Sequence, residues 1–382
     1  MLWDFEVTLD PAGTPVDIPN VQSVTVTAGR QAQIDNFTAT RCTIVCRYPN
    51  GFYSPISGLL PGAEIMVEAS VTGTGQYPTT PFRGYITDVS VQYGIPYASN
   101  VGNADYLTIS CEGALATLAR TSGNGYSMAA GTVSTQITTA STQSGIALGA
   151  TPGAYFQARS ASAATVSGSW ADWLNQMAFT FAGRIGDDAD TVTLRNYQPV
   201  ATLTTTDMHF SDTGSALSIP YDRIDFDSIA QNYFTQVTID PDGYAAQTVS
   251  TGAVPYRNLT LNTWSPSTGN ATDLATYYLN LYDDPSLAVS ALHVNVNTDK
   301  AGNGFFVILT QSVANGFPLG VGVQVPVVFR GTTTACVIEG AALSATPAGV
   351  SYTVYVSGAD LNSYLVLDNP VLGKLDSNKL GF

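Results

Sequence analysis

The chain has 382 residues, 45% of them hydrophobic and 11% charged, with 14 basic against 29 acidic residues and a formal net charge of -15. That length exceeds the ~250–300 residues at which one hydrophobic core stops growing, so more than one domain is predicted, and an apolar, charge-poor composition excludes intrinsic disorder. An acid excess without any Lys/Arg-rich stretch argues against binding nucleic acid by neutralising phosphates, no window approaches the ~18 apolar residues of a membrane helix, and residues 1–7, with Asp4 and Glu6 and no basic residue, predict no secretory signal.

Residues 1–120 read as strands. Ile65, Val67, Ala69 and Val71 alternate with Glu64, Met66, Glu68 and Ser70 after a turn at Leu60-Pro61-Gly62, the period of a half-buried strand. Val89, Val91 and Tyr93 line one face of a second strand, and Leu107, Ile109 and Cys111 one face of a third. Short strands between Gly, Pro and Asn turns predict an antiparallel sandwich or barrel. Ala114, Leu115, Leu118 and Ala119 then take helical spacing.

Residues 121–210 change texture to Gly, Ser, Thr and Ala and predict a small α/β domain. Ser169 is placed to cap a helix whose one face carries Trp170, Trp173, Leu174 and Met177, and residues 184–194 read as a hairpin around Asp187-Asp188-Ala189-Asp190.

In the third section a strand is predicted over 232–239, with a turn at Asp240-Pro241-Asp242-Gly243. Ala271, Leu274, Ala275, Tyr278 and Leu279 predict a helix capped by Asn270 and ended before Pro285. Leu292, Val294 and Val296 form the next strand, with His293 on its polar face, and further strands are predicted over 321–329, 335–343 and 350–356. The sections echo each other. Pro61-Gly62 through Val67, then Phe82-Arg83-Gly84-Tyr85-Ile86, then Tyr106-Leu107-Thr108-Ile109 match Leu319-Gly320 through Val325, then residues 335–340, then Tyr352 through Val356. Duplication and generic β texture both account for this order.

The chemistry-bearing residues form no constellation. Cys42 and Cys46 lie about 13 Å apart along one strand, beyond disulfide reach; with Cys111 they read as small apolar strand residues, and no disulfide is expected for any of the three or for Cys336. His209 and His293 are the only histidines, and neither has metal-ligand spacing to a cysteine. Gly125-Tyr126-Ser127-Met128-Ala129 lacks the second glycine of a nucleophile elbow. The acidic run from Asp188 and the Asn295, Asn297, Asp299 spacing lack the glycine of a calcium loop. No catalytic, cofactor-binding or metal residues are assigned, no cofactor is expected, and the chain reads as no enzyme.

One combination resembles a family. Residues 41–62, with Arg41, Cys42, Cys46, Arg47, Gly51, Ser54 and Pro61-Gly62, followed by Phe82-Arg83-Gly84-Tyr85-Ile86, are similar to the N-terminal part of minor tail and tail hub proteins of long-tailed bacteriophages. Ile219-Pro220-Tyr221-Asp222 with residues 229–232, Pro255-Tyr256-Arg257 before Leu259, and Tyr282-Asp283-Asp284-Pro285 add to it, and residues 364–382 resemble the ending of such proteins from actinobacterial phages. The resemblance implies a mainly β fold with α/β parts, two tail-tube-like antiparallel β-barrels joined by a small α/β domain. The first barrel would occupy 1–120, the α/β domain 121–210, the second barrel 211–265 and 298–365, a helix and strand of the α/β part 266–297, and an extended segment 366–382.

It also implies a structural hub at the tail tip of the virion: a homotrimer beside the distal tail or tail tube protein, the tape measure protein and other tail-tip proteins. Double-stranded DNA would pass through without specific binding, and no stable membrane insertion is expected. No fibre or lysin extension follows the hub-like region, so receptor binding and wall cleavage would belong to other proteins. Other readings are a hexameric distal tail ring, a tail-associated cell-wall hydrolase, or a sugar-binding adhesin using Tyr48, Phe52 and Tyr53.

Overall fold

A computed structural model describes residues 3–10, 12–32, 34–48, 54–71, 79–94, 104–151, 156–188, 190–196, 198–214, 217–227, 233–254, 257–282, 288–296, 299–358, 364–365 and 379–380. Phe52, Tyr53, Pro255, Tyr256, Asp283, Asp284, Pro285, Asn297, residues 229–232 and nearly all of 366–382, all named above, lie outside the described residues.

The first section is built from β1 (Trp3–Leu9), β2 (Val21–Gly29), β3 (Thr38–Tyr48), β4 (Glu64–Val71), β5 (Thr79–Gln92) and β6 (Asp105–Glu112), followed by helix α1 (Ala114–Arg120). Ile65, Val67 and Ala69 on β4 are buried, as their alternation predicts. β5 is longer than its Val89/Val91 pattern shows. Phe82 and Ile86 face the core from even positions, and a bulge between Ile86 and Asp88 then shifts the inward face to Val89 and Val91. Tyr93 falls beyond the strand end and is 65% exposed, so it does not line the core.

The middle section holds α2 (Val133–Ser144), β7 (Ala147–Thr151), α3 (Trp170–Thr180), β8 (Arg184–Asp187) and β9 (Thr191–Arg195), with the sheet order β7-β9-β8. The Ser169 side chain accepts from the Asp172 N–H, and the Asp172 carboxylate accepts from the Ser169 N–H, so both ends of a capping box are made. Trp170, Trp173, Leu174 and Met177 are core residues. Helix α2 was hidden in its Ser/Thr-rich sequence; Val133, Gln136, Ile137 and Ala140 give it a narrow buried stripe and Thr132 caps it.

The third section comprises β10 (Arg223–Asp227), β11 (Gln236–Pro241), β12 (Gln247–Ser250), β13 (Asn258–Thr263), α4 (Thr268–Tyr282), β14 (Ala288–Asn295), α5 (Asp299–Val313), β15 (Val323–Phe329), β16 (Thr332–Thr346) and β17 (Gly349–Gly358). β11, flanked by β12 and β13, forms a separate three-stranded sheet. Val237, Ile239 and Leu261 pack with Ala271, Ala275, Tyr278 and Leu279 of α4 into a second core. Ser267, not Asn270, caps α4: the Asn270 N–H donates to Ser267 Oγ at 3.2 Å, inside the first turn. Helix α5 lies within the 298–365 span assigned to the second barrel, where no element was predicted before 321. Gly302, Gly304 and the run Phe305-Phe306-Val307-Ile308-Leu309 conceal it, yet Phe305, Ile308, Leu309 and Ser312 are buried at helical spacing.

Pairing order confirms the internal echo. The first section runs β2-β3-β6-β5-β4 and the third β10-β14-β17-β16-β15, antiparallel at every step. Each long strand carries a matching bulge, at Ile86/Asp88 in β5 and Ile338/Gly340 in β16, and β5 has a further register shift against β4 between Val67 and Ala69. Beside each bulge a glycine donates to the preceding isoleucine carbonyl, Gly62 to Ile86 at 2.8 Å and Gly322 to Ile338 at 2.7 Å. The equivalence therefore matches Gly62 to Gly322, two residues away from the sequence-based alignment with Gly320.

Among the described residues neither section closes into a barrel of its own. Their strands, with the short strands Ala201–Thr202 and His209–Ser211, make one open 15-stranded sheet. The reason lies in β16, whose first half pairs with β15 while Gly340–Ala345 pair with Gly29–Val24 of β2. The two sections are one sheet from that point on.

Candidate functional site

Residue Glu339 is the extra residue of the β16 bulge, at the handover from β15 to β2. Its side chain is fully buried between Arg30, 2.9 Å away, and Arg184, 2.8 Å away, and Ser357 Oγ donates to it at 2.7 Å. Arg30 also stacks 4.2 Å from the Phe37 ring centroid. Burial alone would raise the Glu339 carboxyl, but the Arg184 and Arg30 guanidiniums outweigh it and hold it well below the usual carboxylate range. One residue from each section thus meets here. Backbone approach is equally close: a Cβ on Gly29, at φ +80°, would sit 2.3 Å from the Glu339 carbonyl oxygen.

A second tie uses Asp187. Its carboxylate accepts from the Thr40 N–H at 2.7 Å and the Leu115 N–H at 2.8 Å, joining β8 to β3 and α1. Burial pushes its pKa up to about 6, against the lowering effect of these hydrogen bonds. The first section, the α/β part and the third section are therefore held in one fixed arrangement.

That arrangement makes an eight-strand run, β10-β14-β17-β16-β2-β3-β6-β5, with a continuous outward face. Asn295, Ser351, Ser344, Thr25, Thr43, Ser110 and Asp88 are register partners in turn across seven of these strands. The neighbouring row is Arg223, His293, Thr353, Ala342, Thr27, Arg41, Glu112 and Tyr85. The middle is hydroxyl-lined and charges sit toward the ends, mostly in pairs: Arg223 with Asp225 at 2.9 Å, Arg41 with Glu112 at 3.3 Å. Beyond Tyr85, β4 and β1 continue the face with Glu64, Glu68 and Glu6. Glu68 and Glu6 are direct cross-strand partners, and burial and then the Glu6 charge raise the Glu68 pKa.

Of the other arginines, Arg83 pairs with Glu64, and Arg120 with Glu112. Tyr85 donates to Asp190, which also pairs with Arg83. A groove of about 730 Å³ between α1 and β7 is lined by Tyr85, Glu112, Arg120 and Asp190, so its charges are already satisfied by one another.

The arrangement nearest to catalysis is Asp225, His293 and Thr353, with His293 Nε2 2.9 Å from Asp225 and Nδ1 3.1 Å from Thr353 Oγ1. Thr353 lies in β17, whose backbone pairs with β14 on one side and β16 on the other. Among the described residues no converging pair of N–H groups is left there to hold an oxyanion. Ser127 lies in a two-residue strand paired with Ala164 and Thr165, not at an elbow before a helix. All four cysteines are buried and unpaired with one another. Among the described residues no group of three His, Cys, Asp or Glu side chains is placed to hold a metal ion, and no helix is long and apolar enough to cross a membrane. Tyr48 is half-buried at the end of β3, and the rest of the aromatic set read for sugar binding lies outside the described residues.

The fold is shared with phage tail proteins. The 43 kDa tail protein of prophage MuSo2 from Shewanella oneidensis aligns over 92% of this chain and 98% of its own, with 14% identity and a TM-score of 0.60. The tail protein from Neisseria meningitidis MC58 aligns over 93% and 97%, again with 14% identity, and a TM-score of 0.61. No protein-family model and no curated protein sequence matches the chain.

Proposed function

We propose that the chain is a non-enzymatic structural protein of a phage tail: the hub at the tail tip, assembled as a homotrimer around the DNA path. The observation that carries this reading is the eight-strand face, hydroxyl-rich at its centre and continued by Glu64, Glu68 and Glu6. Such a surface offers phosphates no unpaired cationic row and, with a net charge of -15, repels them, so DNA slides without adhering. Two topologically equivalent halves in one chain let three copies present six units to a sixfold tube. The strands of residues 1–120 and, in the third section, β10, β14, β15, β16 and β17 are then the two tube-like units. Most of 121–210, together with β11, β12, β13 and α4, supplies the α/β parts. Tube or distal tail protein, tape measure protein and other tip proteins are the neighbours.

Native mass and DNA retention test it. Three copies are expected; six would redirect the chain to a distal tail ring. Replacing Thr25, Thr43 and Ser344 with Lys should make the assembled protein retain double-stranded DNA at about 0.15 M salt, where the parent does not. Equal behaviour of parent and variant would sink the channel reading.

A further inference from the structure

The two ends of the eight-strand run are matching halves of one joint. Inside the chain, β16 of the second repeat pairs with β2 of the first: Leu343 opposite Val26, Ser344 opposite Thr25, Ala345 opposite Val24. At the ends stand their equivalents, β5 and β10. Among the described residues β5 has no strand partner past Ile86 on the side away from β6, and β10 none on the side away from β14.

Register converts the equivalence into residue pairs. The bulges match Ile86 and Asp88 to Ile338 and Gly340, which carries Leu343, Ser344 and Ala345 onto Val91, Gln92 and Tyr93. On the other side, Val24 pairs with Ile44 and that with Ile109, as Ile224 pairs with Leu292 and that with Val354. Val24 and Thr25 thus correspond to Ile224 and Asp225, and the next residue along the strand, Val26, to Phe226, although the extra residue Ser290 in β14 shifts the partner of Phe226 to Val289.

We propose that β5 of one copy pairs antiparallel with β10 of the next, continuing the sheet from chain to chain with Val91 opposite Phe226, Gln92 opposite Asp225 and Tyr93 opposite Ile224. The occupant of each free edge is a second copy because the same two repeats already make this contact within one chain. Burial supports it independently. At the internal joint Leu343 and Val26 are 0% exposed, Val24 1% and Ala345 4%, whereas at the free edges Val91, Phe226 and Ile224 are only half-buried and Tyr93 is 65% exposed. Pairing would cover the apolar set that the isolated chain leaves wet, and it removes two open strand edges. The contact is head-to-tail, so it closes a ring when the rotation per copy divides the circle. This inference rests on the ring-forming reading above and assigns its interface.

The test uses Gln92→Cys and Asp225→Cys, since directly opposed strand residues lie about 4.5–5.5 Å apart at Cα, within disulfide range, and the native cysteines are buried. After mild oxidation the double variant should give a covalent ladder ending at the ring size, and an equal mixture of the single variants covalent dimers only. Val91→Lys should weaken assembly at least tenfold while far-UV circular dichroism of the monomer stays unchanged. A ring by native mass with no cross-link, or with assembly indifferent to Val91→Lys, overturns the edge pairing and leaves the hub reading standing. A monomer at every concentration, with no cross-link, overturns both.

Discussion

The Arg30 guanidinium and the Glu339 carboxylate lie 309 residues apart in the chain and 2.9 Å apart in the fold, both almost without solvent exposure. For the carboxylate buried between Arg30 and Arg184 their attraction exceeds its own desolvation, while the desolvation of the two guanidiniums offsets part of that gain. Removing the one anion is a different matter. Glu339→Gln leaves two buried cations uncompensated and should cost about 3–5 kcal/mol, seen as a lowered urea midpoint. An unchanged midpoint would mean that water reaches the cluster.

The Asp187 carboxyl sets a pH dependence of defined sign. Its folded pKa rises from 3.8 to about 6, so between those values the folded state binds more protons than the unfolded one, and stability from this group falls as pH rises. The difference between parent and Asp187→Asn in unfolding free energy should therefore change by about 2–3 kcal/mol from pH 4 to pH 7. Glu339, held low, acts oppositely: its contribution is complete above the ordinary carboxylate range and is lost on acidification. A parent-minus-variant curve that is flat over pH 4 to 7 would show Asp187 to be solvated.

The core positions Val67 on β4 and Val354 on β17 belong to different repeats and are both 0% exposed. Val67→Asp or Val354→Asp places an unpaired charge there. Each variant should be recovered unfolded or aggregated, and a folded Val354→Asp protein with native circular dichroism would contradict the register of β17.

The four thiols should be silent in the folded protein. Cys42 and Cys111 are cross-strand partners, and burial, with Cys111 adding its charge, pushes the Cys42 thiol up; burial pushes Cys46, Cys111 and Cys336 up to about 12. A thiol reagent at pH 8 should react only after unfolding, and then with all four. A native mass two hydrogens short per cysteine pair would reveal a disulfide.

The cross-strand pair Glu6 and Glu68 puts like charges opposite each other. Glu68→Gln should raise stability by about 0.2–1 kcal/mol, read as a higher thermal midpoint at neutral pH and little change in acid, where the raised Glu68 carboxyl has taken up its proton.

Local order was legible in the residues. Alternation at Ile65, Val67 and Ala69 gave β4 its face, the Ser169 cap and the Trp170/Trp173 stripe gave α3, and the spacing from Ala271 to Leu279 gave α4, because each of these patterns answers to a one-dimensional period. The resemblance to phage tail proteins and the echo of two β sections were also visible. The tertiary structure decided the rest. Helix α5 forms because Phe305, Ile308 and Leu309 find a core on one side, which outweighs two glycines and a β-branched run. The bulges at Thr87 and Glu339 leave no period to read, since one inserted residue reverses the inward face. Above all, the joining of two expected barrels into one sheet rests on β16 choosing β2 as its partner. At that junction meet Arg30, Arg184 and Glu339, three residues that no local pattern connects.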